Sequence, residues 1–357
     1  MSLSRLQLRD FRCFESVELD LSPRANLIHG DNASGKTSLL EALFFLSRGR
    51  SFRTSKAENL VRHGAEGFLL SGLATDGAGT LPLGIARSPA GLEARVGGAP
   101  AQSLAQLAEK LPVQLLDSSA HQLIEGGPRH RRQFLDWGVF HVEQSFLGAW
   151  RRYQRALKQR NTLLRQKAAE AMLKTWEPEL VAAGLLLDQS RKAYLAQLEP
   201  VALAWASRLL GGGLNLQFRY LRGWGEGKSL EEALEGTRAL DREQGSTRSG
   251  PHRAEVAIEI DGLPAQQEVS RGQQKVLAGA LLLAQAAYLH QATGRQCLLL
   301  LDDLAAELDA GHLGRFLELV QESQAQIFLT SVEAGRLPAW KEARRFHVEH
   351  GKVAKLV

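Results

Sequence analysis

The sequence has little cysteine and no long apolar segment. Cys13 and Cys297 are the only cysteines among 357 residues, which excludes a disulfide framework and a Cys-x-x-Cys zinc site. No stretch approaches the roughly 18 uninterrupted apolar residues that a membrane-spanning helix requires. The first residues, MSLSRLQLRDFR, lack the apolar core of a signal peptide. We therefore expect a cytoplasmic protein with no membrane partner.

Repeats are missing as well, and neither sign of charge dominates. Neither internal repeats nor low-complexity tracts occur, and no sustained heptad pattern predicts a long coiled coil. A net charge of +5 and a pI of about 9.3 permit an anionic partner but do not require one. The length allows two domains, or one large domain with a substantial insertion.

The stretch GDNASGKT matches the phosphate-binding pattern G-x-x-x-x-G-K-[ST]. We predict a buried strand before it, at residues 25–30, and an apolar helix after it, at 37–46. The glycines let backbone N–H groups and the helix N-terminus face a β-phosphate. Lys36 would bridge the β- and γ-phosphates, and the Thr37 hydroxyl would ligate Mg²⁺. The predicted ATP-binding residues are Gly30, Asp31, Asn32, Ala33, Ser34, Gly35, Lys36 and Thr37.

A second motif, CLLLLDD at residues 297–303, is an apolar strand ending in two aspartates. Asp302 would hold Mg²⁺, and Asp303 would orient or deprotonate the attacking water. The alternative is that Asp303 only caps a following helix. Lys36 and Asp302 are 302 − 36 = 266 positions apart. This separation predicts an insertion between the two halves of the nucleotide site.

The intervening sequence changes character along its length. Residues 68–98 alternate short apolar runs with turns, which predicts an antiparallel β-meander, and residues 111–116 predict another strand. A helical region follows over 133–210, with breaks predicted near Pro178 and Pro200 and an end at the glycines 211–213. We expect a nucleotide-binding lobe from residues 1–132 and 246–357, and an inserted helical lobe at 133–245.

Part of the helical region is strongly basic. Residues 151–167 hold seven Lys or Arg and no acid, and PRHRR at 128–132 is a second cluster. Solvated helix faces usually mix charges of both signs, so this pattern favours contact with a nucleic-acid backbone. The alternative is an ordinary solvated face. The candidate DNA-binding residues are Arg151, Arg152, Arg155, Lys158 and Arg160.

The stretch VSRGQQK, at 269–275, opens a long apolar helix. Ser270 and Gly272 at its N-terminus would form a second phosphate-binding corner. The chain has one P-loop and therefore one nucleotide site of its own. The second corner makes sense if it contacts the nucleotide bound by a partner subunit. The aspartate strand is followed by ELD, from Glu307 to Asp309, and by a last strand at 326–331.

This order of motifs resembles the ABC-type ATPase heads, and within them the RecF family, the arm-less SMC-like proteins of bacterial recombinational repair. The motifs that carry the resemblance are LQLRDFRCF, GDNASGKTSLLEALFFLSRGRSFRT, RRQFLDWGVFH, TRSGPHRAE, VSRGQQK and LLLLDDLAAELD. The resemblance implies an α/β fold: an ABC-type P-loop ATPase head, with a mixed sheet and an antiparallel β-subdomain, and an inserted, mainly helical lobe.

The resemblance also implies a function: a weak, DNA-dependent ATPase that uses ATP and Mg²⁺. It would bind double-stranded and gapped DNA, form a homodimer with ATP, and help RecO and RecR load RecA. Two rival functions remain, a transporter ATPase subunit and a non-hydrolysing, ATP-dependent DNA scaffold.

Several residue roles follow from the same resemblance. Gln114 matches the glutamine that senses γ-phosphate and metal, so it is expected to act in catalysis and in Mg²⁺ binding; the alternative is an ordinary strand residue. Ser270, Arg271 and Gly272 would complete the ATP site of the partner subunit. The switch histidine of transporters is missing, which leaves Thr330 or Ser331 as the nearest candidates. His252 could be catalytic, or it could be a packed, backbone-bonded histidine.

Overall fold

A computed structural model describes residues 2–76, 79–304 and 308–356. Backbone contacts divide the chain into two compact units, residues 1–120 with 279–357 and residues 121–278. The second unit extends beyond the lobe expected at 133–245 in both directions. The reason is that the helix at 128–142 and the strand at 255–260 pack against one another within it.

Both units contain strands and helices. The strands are β1 (Ser2–Phe11), β2 (Phe14–Asp20), β3 (Ala25–His29), β4 (Phe68–Asp76), β5 (Gly79–Ser88), β6 (Gly91–Val96), β7 (Ala99–Pro100), β8 (Val113–Leu116), β9 (Leu216–Leu221), β10 (Glu255–Ile260), β11 (Leu263–Pro264), β12 (Leu298–Leu301), β13 (Gln326–Ser331), β14 (Ala343–Glu349) and β15 (Lys352–Leu356). The described helices are α1 (Lys36–Arg48), α2 (Leu104–Lys110), α3 (Gln122–Glu125), α4 (Pro128–Val142), α5 (Phe146–Arg165), α6 (Glu170–Leu210), α7 (Leu230–Gln244), α8 (Ala265–Glu268), α9 (Arg271–Thr293) and α10 (Ala310–Glu322). No helix in the described ranges is long and apolar enough to cross a membrane.

The first unit contains an antiparallel sheet in the order β2-β1-β4-β5-β6-β7. Successive strands from β4 to β7 pair with their neighbours in the chain, which confirms the predicted meander. The N-terminal strand β1 lies between β2 and β4 in this sheet and pairs with both.

The second sheet of this unit has the order β15-β14-β3-β13-β12-β8. All its pairings are parallel except that of β14 with β15. The carboxyl ends of parallel strands lie at one edge of a sheet, where α/β proteins place their ligands. The P-loop follows β3 and the two aspartates follow β12, so the sheet brings both motifs to the same edge.

Helix α1 carries apolar residues on almost every face, which is typical of a helix buried on all sides. Leu39, Leu40, Leu43 and Leu46 are each at most 1% exposed. They belong to one core with residues of both six-stranded sheets. The helix that presents the phosphate-binding loop is therefore held rigidly by the core.

A buried glutamine also links the two sheets. Nε2 of Gln326 on β13 donates to the carbonyl oxygens of Leu3 and Ser22, each at 2.7 Å. Its Oε1 accepts the N–H of Leu3 at 2.7 Å. A buried amide with its hydrogen bonds satisfied fixes the relative position of the strands it joins.

The second unit is mainly helical, with the small sheet β11-β10-β9. Helix α6 runs 41 residues without a break, so the predicted breaks at Pro178 and Pro200 are wrong. Its buried side chains continue past both prolines, and α5 packs along it. That burial offsets the roughly 3 kcal/mol that an interior proline costs a helix. The predicted end is confirmed, with Gly211 in the left-handed conformation at φ 103°.

Candidate functional site

The P-loop lies between β3 and the first turn of α1, and its two glycines are sterically required. Gly35 precedes the helix with φ 122°, a conformation that side chains rarely adopt. A Cβ there would lie 2.9 Å from Sγ of Cys13. A Cβ on Gly30 would lie 2.1 Å from the carbonyl oxygen of Val348 on β14. The loop can therefore wrap closely around a ligand only with glycine at both positions.

Polar groups of the loop are arranged for an anion. Nζ of Lys36 donates to the carbonyl oxygens of Gly30 at 2.6 Å and Asp31 at 2.8 Å. Burial lowers the pKa of Lys36, while the nearby Asp303 acts in the opposite direction. Oγ of Ser34 is buried and has no hydrogen-bond partner within the described ranges. A bound phosphate would satisfy both the ammonium group and this hydroxyl.

Asp302 connects three chain segments at the edge of the parallel sheet. Its Oδ2 accepts the Thr37 hydroxyl at 2.9 Å, and its Oδ1 accepts the Thr330 hydroxyl at 2.8 Å. Burial raises the pKa of Asp302 despite both hydrogen bonds. A partly buried carboxylate beside a hydroxyl is the oxygen donor set that Mg²⁺ prefers. Asp302 and Thr37 therefore fit the predicted metal-binding role.

Asp303 lines the same cleft in a strained backbone conformation, with φ 49°. Its N–H donates to the Thr330 hydroxyl at 2.9 Å. Thr330 thus holds both aspartates, whereas the hydroxyl of Ser331 donates to the carbonyl of Glu333. Of the two candidates for the missing switch position, Thr330 is the one that contacts the site. The predicted motif residue Glu307 lies outside the described residues.

The cleft has a volume of about 580 Å³ and extends beyond the P-loop. It is lined by Arg12, Cys13, Asn32, Ala33, Gly35, Lys36, Thr37, Ser38, Arg53, Asn59, Val61, Asp302 and Asp303. The contributions of Arg12, Arg53 and Asn59 were not predicted. Arg12 lies in the motif LQLRDFRCF, and Arg53 lies in RSFRT, at the end of the P-loop motif quoted above. Their presence in these motifs was the sequence feature that could have indicated a role in the cleft.

Arg12 and Arg53 share a buried acid. Two nitrogens of Arg12 donate to the carboxylate of Glu41 on α1, each at 2.8 Å, and a third donates to the Asn59 carbonyl. Nη1 of Arg53 lies 3.8 Å from Glu41, and the Ser51 hydroxyl also donates to it. The Glu41 side chain is fully buried. The far wall of the cleft is therefore a hydrogen-bonded network, built on α1.

Comparison with known proteins identifies this arrangement. The family model described as "RecF/RecN/SMC N terminal domain" matches residues 90–354, and an "AAA domain" model matches residues 5–75. A "DNA replication and repair protein RecF" from Chromohalobacter salexigens is 44% identical over 99% of both chains. The chain belongs to the RecF family. A protein of the same description from Edwardsiella ictaluri is 40% identical over 99% of this chain and 100% of its own.

Solved structures agree with the family assignment. One described as "the recombination mediator protein RecF-ATP in RecFOR pathway" has a TM-score of 0.89 and 26% identity, covering 100% of this chain and 98% of that one. An SMC head bound to part of ScpA has a TM-score of 0.62 at 15% identity, with 100% and 98% covered. The second match shows the fold alone, and both support the predicted ABC-type ATPase head.

The role predicted for Gln114 does not fit the geometry. Gln114 is buried in the middle of β8, where its Nε2 donates to Oε1 of Gln285 at 2.7 Å. Leu116, at the end of β8, is level with Leu301, and its carbonyl accepts the N–H of Asp302. Gln114 is level with Leu299, so it lies three residues, or roughly 10 Å of strand, before the position of Asp302. Its side chain is used in a buried hydrogen bond within the sheet, so the predicted catalytic and metal-binding roles of Gln114 are wrong.

The predicted second phosphate-binding corner, at Ser270 and Gly272, is a capped helix N-terminus. The Ser270 hydroxyl accepts the N–H of Gln273 at 3.3 Å, and Oε1 of Gln273 accepts the N–H of Ser270 at 2.9 Å. This reciprocal pair is a capping box. Ser270, Arg271 and Gly272 are all exposed. The remaining N–H groups of the first turn of α9 are therefore presented to solvent.

The basic helix α5 divides into an exposed and a buried set. Arg151, Arg155 and Lys158 are exposed, and Arg152 is exposed but pairs with Glu179 at 2.6 Å. Arg160 is fully buried and cannot contact DNA. Its Nη1 donates to the Asp241 carboxylate and to the Thr247 hydroxyl, each at 2.8 Å. The prediction for Arg160 is wrong, because it lies on the apolar stripe of the helix.

His252 is a packed histidine. Its Nδ1 lies 2.6 Å from the Tyr153 hydroxyl, and its Nε2 lies 2.9 Å from the Thr247 carbonyl. The carbonyl can only accept, so Nε2 carries the proton and Nδ1 accepts from the tyrosine. Burial lowers the pKa of His252 to about 4. The histidine is neutral at ordinary pH and has no free nitrogen for catalysis.

We predict that Arg12→Ala lowers the free energy of unfolding by about 3 kcal/mol, because it leaves the buried Glu41 without its main partner. Replacing both residues, Arg12→Met with Glu41→Leu, should recover most of that loss. Arg9→Ala removes an exposed arginine from the strand that precedes Arg12 and should change stability by less than about 0.5 kcal/mol. Urea unfolding measures all three variants. A loss no larger than that of Arg9→Ala would show that Arg12 does not support the cleft.

Proposed function

We propose that the chain is an ATP-dependent DNA-binding protein of recombinational repair and replication restart. ATP binding would join two copies around DNA, and slow hydrolysis would release them. The observation that carries the proposal is the cleft in which Lys36, Asp302 and Asp303 meet on one sheet edge. The relatives described as DNA replication and repair proteins support the biological setting.

Binding of ATP follows from the loop geometry. The N–H groups of residues 30–37 and the N-terminus of α1 would receive the β-phosphate. Lys36 would leave its two carbonyl partners and bridge the β- and γ-phosphates. Thr37 and Asp302 would hold Mg²⁺, which neutralises phosphate charge when bound. The buried Ser34 hydroxyl is placed to donate to a phosphate oxygen.

Hydrolysis would depend on Asp303. Its backbone is positioned by the hydrogen bond to Thr330, so its carboxylate is held at the cleft wall. From there it would orient the attacking water and accept its proton. Aspartate is a shorter side chain than the glutamate that ABC transporters use, which favours slow turnover. Thr330, bonded to both aspartates, acts here as a positioning residue.

Dimerisation would use the exposed corner at Ser270. An exposed helix N-terminus attracts anions, and the described first turn of α9 contains no acidic residue. Ser270, Arg271 and Gly272 would meet the γ-phosphate bound by the partner subunit. Two ATP molecules would then be enclosed between two copies, each held by Lys36 of one chain and Ser270 of the other.

The partners follow from the family. The solved relatives are described as acting in the RecFOR pathway. We therefore propose that this chain acts with RecO and RecR to promote loading of RecA at gaps in double-stranded DNA. A transporter ATPase is disfavoured by the RecF relatives over the full chain. A non-hydrolysing scaffold is the remaining alternative, and it makes different predictions for Asp303.

We predict that Asp303→Asn keeps ATP binding and the ATP-bound dimer but slows turnover by about 100-fold, since a general base is lost. Lys36→Met, the control, should lose both ATP binding and the dimer. Phosphate release and sedimentation measure the two properties. If Asp303→Asn turns over normally, the base is another residue, with Glu307 the next to test. If the wild-type chain shows no turnover, the scaffold function is correct.

We predict that Ser270→Arg blocks ATP-dependent dimerisation and leaves monomer ATP affinity within about twofold, because the added side chain clashes only across the interface. Gln144→Arg adds the same charge to an exposed loop and should dimerise normally. Sedimentation with ATP and nucleotide titration measure the two variants. Loss of ATP binding by the monomer, or a normal dimer, would show that the two-chain site is wrong.

We predict that replacing Arg151, Arg155 and Lys158 with alanine weakens DNA binding and lowers its log–log salt slope by about 2.7, three phosphate contacts at 0.9 each. A control variant that replaces the exposed Lys174, Lys192 and Lys228 removes the same charge from other surfaces. Titration of duplex DNA over a range of salt concentrations measures both slopes. Equal slopes for the two variants would make the α5 face an ordinary solvated surface.

A further inference from the structure

The second unit contains a pocket that is separate from the ATP-binding residues and from the phosphate-binding corner at Ser270. It has a volume of about 210 Å³ and lies where α4, α5 and α6 meet the TRSGPHRAE segment. Its wall includes Pro251 and His252 of that segment. The groups that give it chemical character are Arg129, Arg132, Gln133, Trp150, Gln154 and Arg191.

The pocket is cationic. Three arginines, Arg129, Arg132 and Arg191, line it together with one acidic residue, Asp136. Asp136 is already bound by Arg191 at 2.8 Å and 3.0 Å. Burial lowers the pKa of Arg132, and the neighbouring Arg191 adds to that shift. Arg129 is exposed and forms no ion pair within the described part of the chain. The pocket therefore holds more positive than negative charge.

The backbone adds to this positive potential. Arg129 and Arg132 lie in the first turns of α4, whose N-cap, Gly127, has no side chain with which to cap it. The first turn contains no acidic residue. Helices ordinarily place acids, not arginines, at this end, where the peptide dipoles concentrate positive charge. An anion bound in the pocket would reduce the electrostatic repulsion between the arginines and the positive end of the helix dipole.

One wall of the pocket is an exposed aromatic ring. Trp150 is 38% exposed, an unusual position for so large an apolar side chain. The amide side chains of Gln133 and Gln154 line the same pocket and can both donate and accept hydrogen bonds. A ring, two amides and a cluster of guanidinium groups together match a nucleotide, with its base on the ring and its phosphate on the arginines.

The pocket opens beside the basic face of α5. Trp150 and Gln154 are four residues apart on this helix, and they adjoin Arg151 and Arg155, which are also four apart. A polyanion following the exposed basic residues would therefore pass the mouth of the pocket. An acidic peptide could fill the pocket, but only a long polyanion would also follow the exposed basic residues of α5 beyond it. The continuous basic surface favours DNA.

We infer that this pocket binds one unstacked nucleotide of DNA, its base against Trp150 and its phosphate against Arg129 and Arg132. The inference rests on the proposed DNA-binding function and refines it. Every base of an intact duplex is stacked and paired, so the pocket would distinguish DNA that contains unpaired nucleotides from DNA that does not. His252 is neutral and fully hydrogen-bonded, so the pocket binds without reacting.

The test uses the full chain and three DNA probes: a blunt duplex, the same duplex with a gap, and a single strand. The gap and the single strand carry 2-aminopurine, whose fluorescence is quenched when it stacks on an aromatic ring. The variants are Trp150→Ala, Trp150→Phe and Arg129→Ala. Lys158→Ala is the matched control, because it removes a charge from the same helix outside the pocket. Thermal unfolding checks that each variant is folded.

We expect the wild-type chain to quench 2-aminopurine, and Trp150→Ala not to quench it. Trp150→Ala should lose about 5- to 100-fold in affinity for gapped DNA and keep its affinity for the duplex, because only an unpaired base stacks on the ring. Trp150→Phe should recover part of that loss. Arg129→Ala should lower the single-strand salt slope by about 0.7. Lys158→Ala should weaken binding to all three probes equally.

The possible outcomes distinguish a failure of this inference from a failure of the proposed DNA-binding function. If Trp150→Ala binds gapped DNA as the wild type does while Lys158→Ala is weakened, DNA binding stands and the pocket inference is overturned. If the wild-type chain binds none of the probes, both the proposed DNA-binding function and the pocket inference are wrong. A hexaglutamate peptide with a terminal phenylalanine is the competitor. If that peptide binds through Trp150 and the DNA affinities do not change, the pocket is a protein-docking site.

Discussion

The Asp302 carboxylate is the interaction on which the nucleotide site depends. It accepts hydrogen bonds from the hydroxyl groups of Thr37, early in the chain, and Thr330, near the other end. Asp302 itself directly follows the strand β12. Burial makes this charge costly, as the raised pKa of Asp302 shows. The folded chain keeps it because the sheet brings two hydroxyl donors and the Lys36 ammonium to the same edge. A cation and a phosphate would supply the remaining compensation.

The core makes that arrangement rigid. Helix α1 is buried between two sheets, and its single buried acid, Glu41, is held by Arg12 from the first β-hairpin. Movement of the antiparallel sheet would therefore be transmitted to the helix that presents Lys36. In the second unit, Arg160 and Arg191 are buried ion-paired residues that anchor long helices to one another. Ion-paired arginines therefore position secondary-structure elements in both units.

The sequence predicted the parts of the site that are local in the chain, and it missed those that depend on register. The P-loop and the aspartate pair are contiguous motifs on recognisable strands. Gln114 was misplaced because only the pairing of β8 with β12 shows that it is level with Leu299 and not with Asp302. Arg160 was open to prediction, since Tyr153, Ala156, Leu157 and Leu164 repeat at helical spacing and place it on their stripe. The partnership of Arg12 with Glu41 spans 29 positions and has no periodic signal.

The order of strands in the parallel sheet has a consequence for synthesis on the ribosome. The P-loop strand β3 emerges early, yet both of its neighbours, β13 and β14, come from residues 326–349. Until those residues leave the exit tunnel, β3 has two unpaired edges, and Gly30 lacks the Val348 carbonyl against which it packs. A nascent or prematurely terminated chain would therefore be unable to hold ATP. In the proposed ATP-dependent dimer, only a chain translated almost to residue 350 would therefore contribute a nucleotide site.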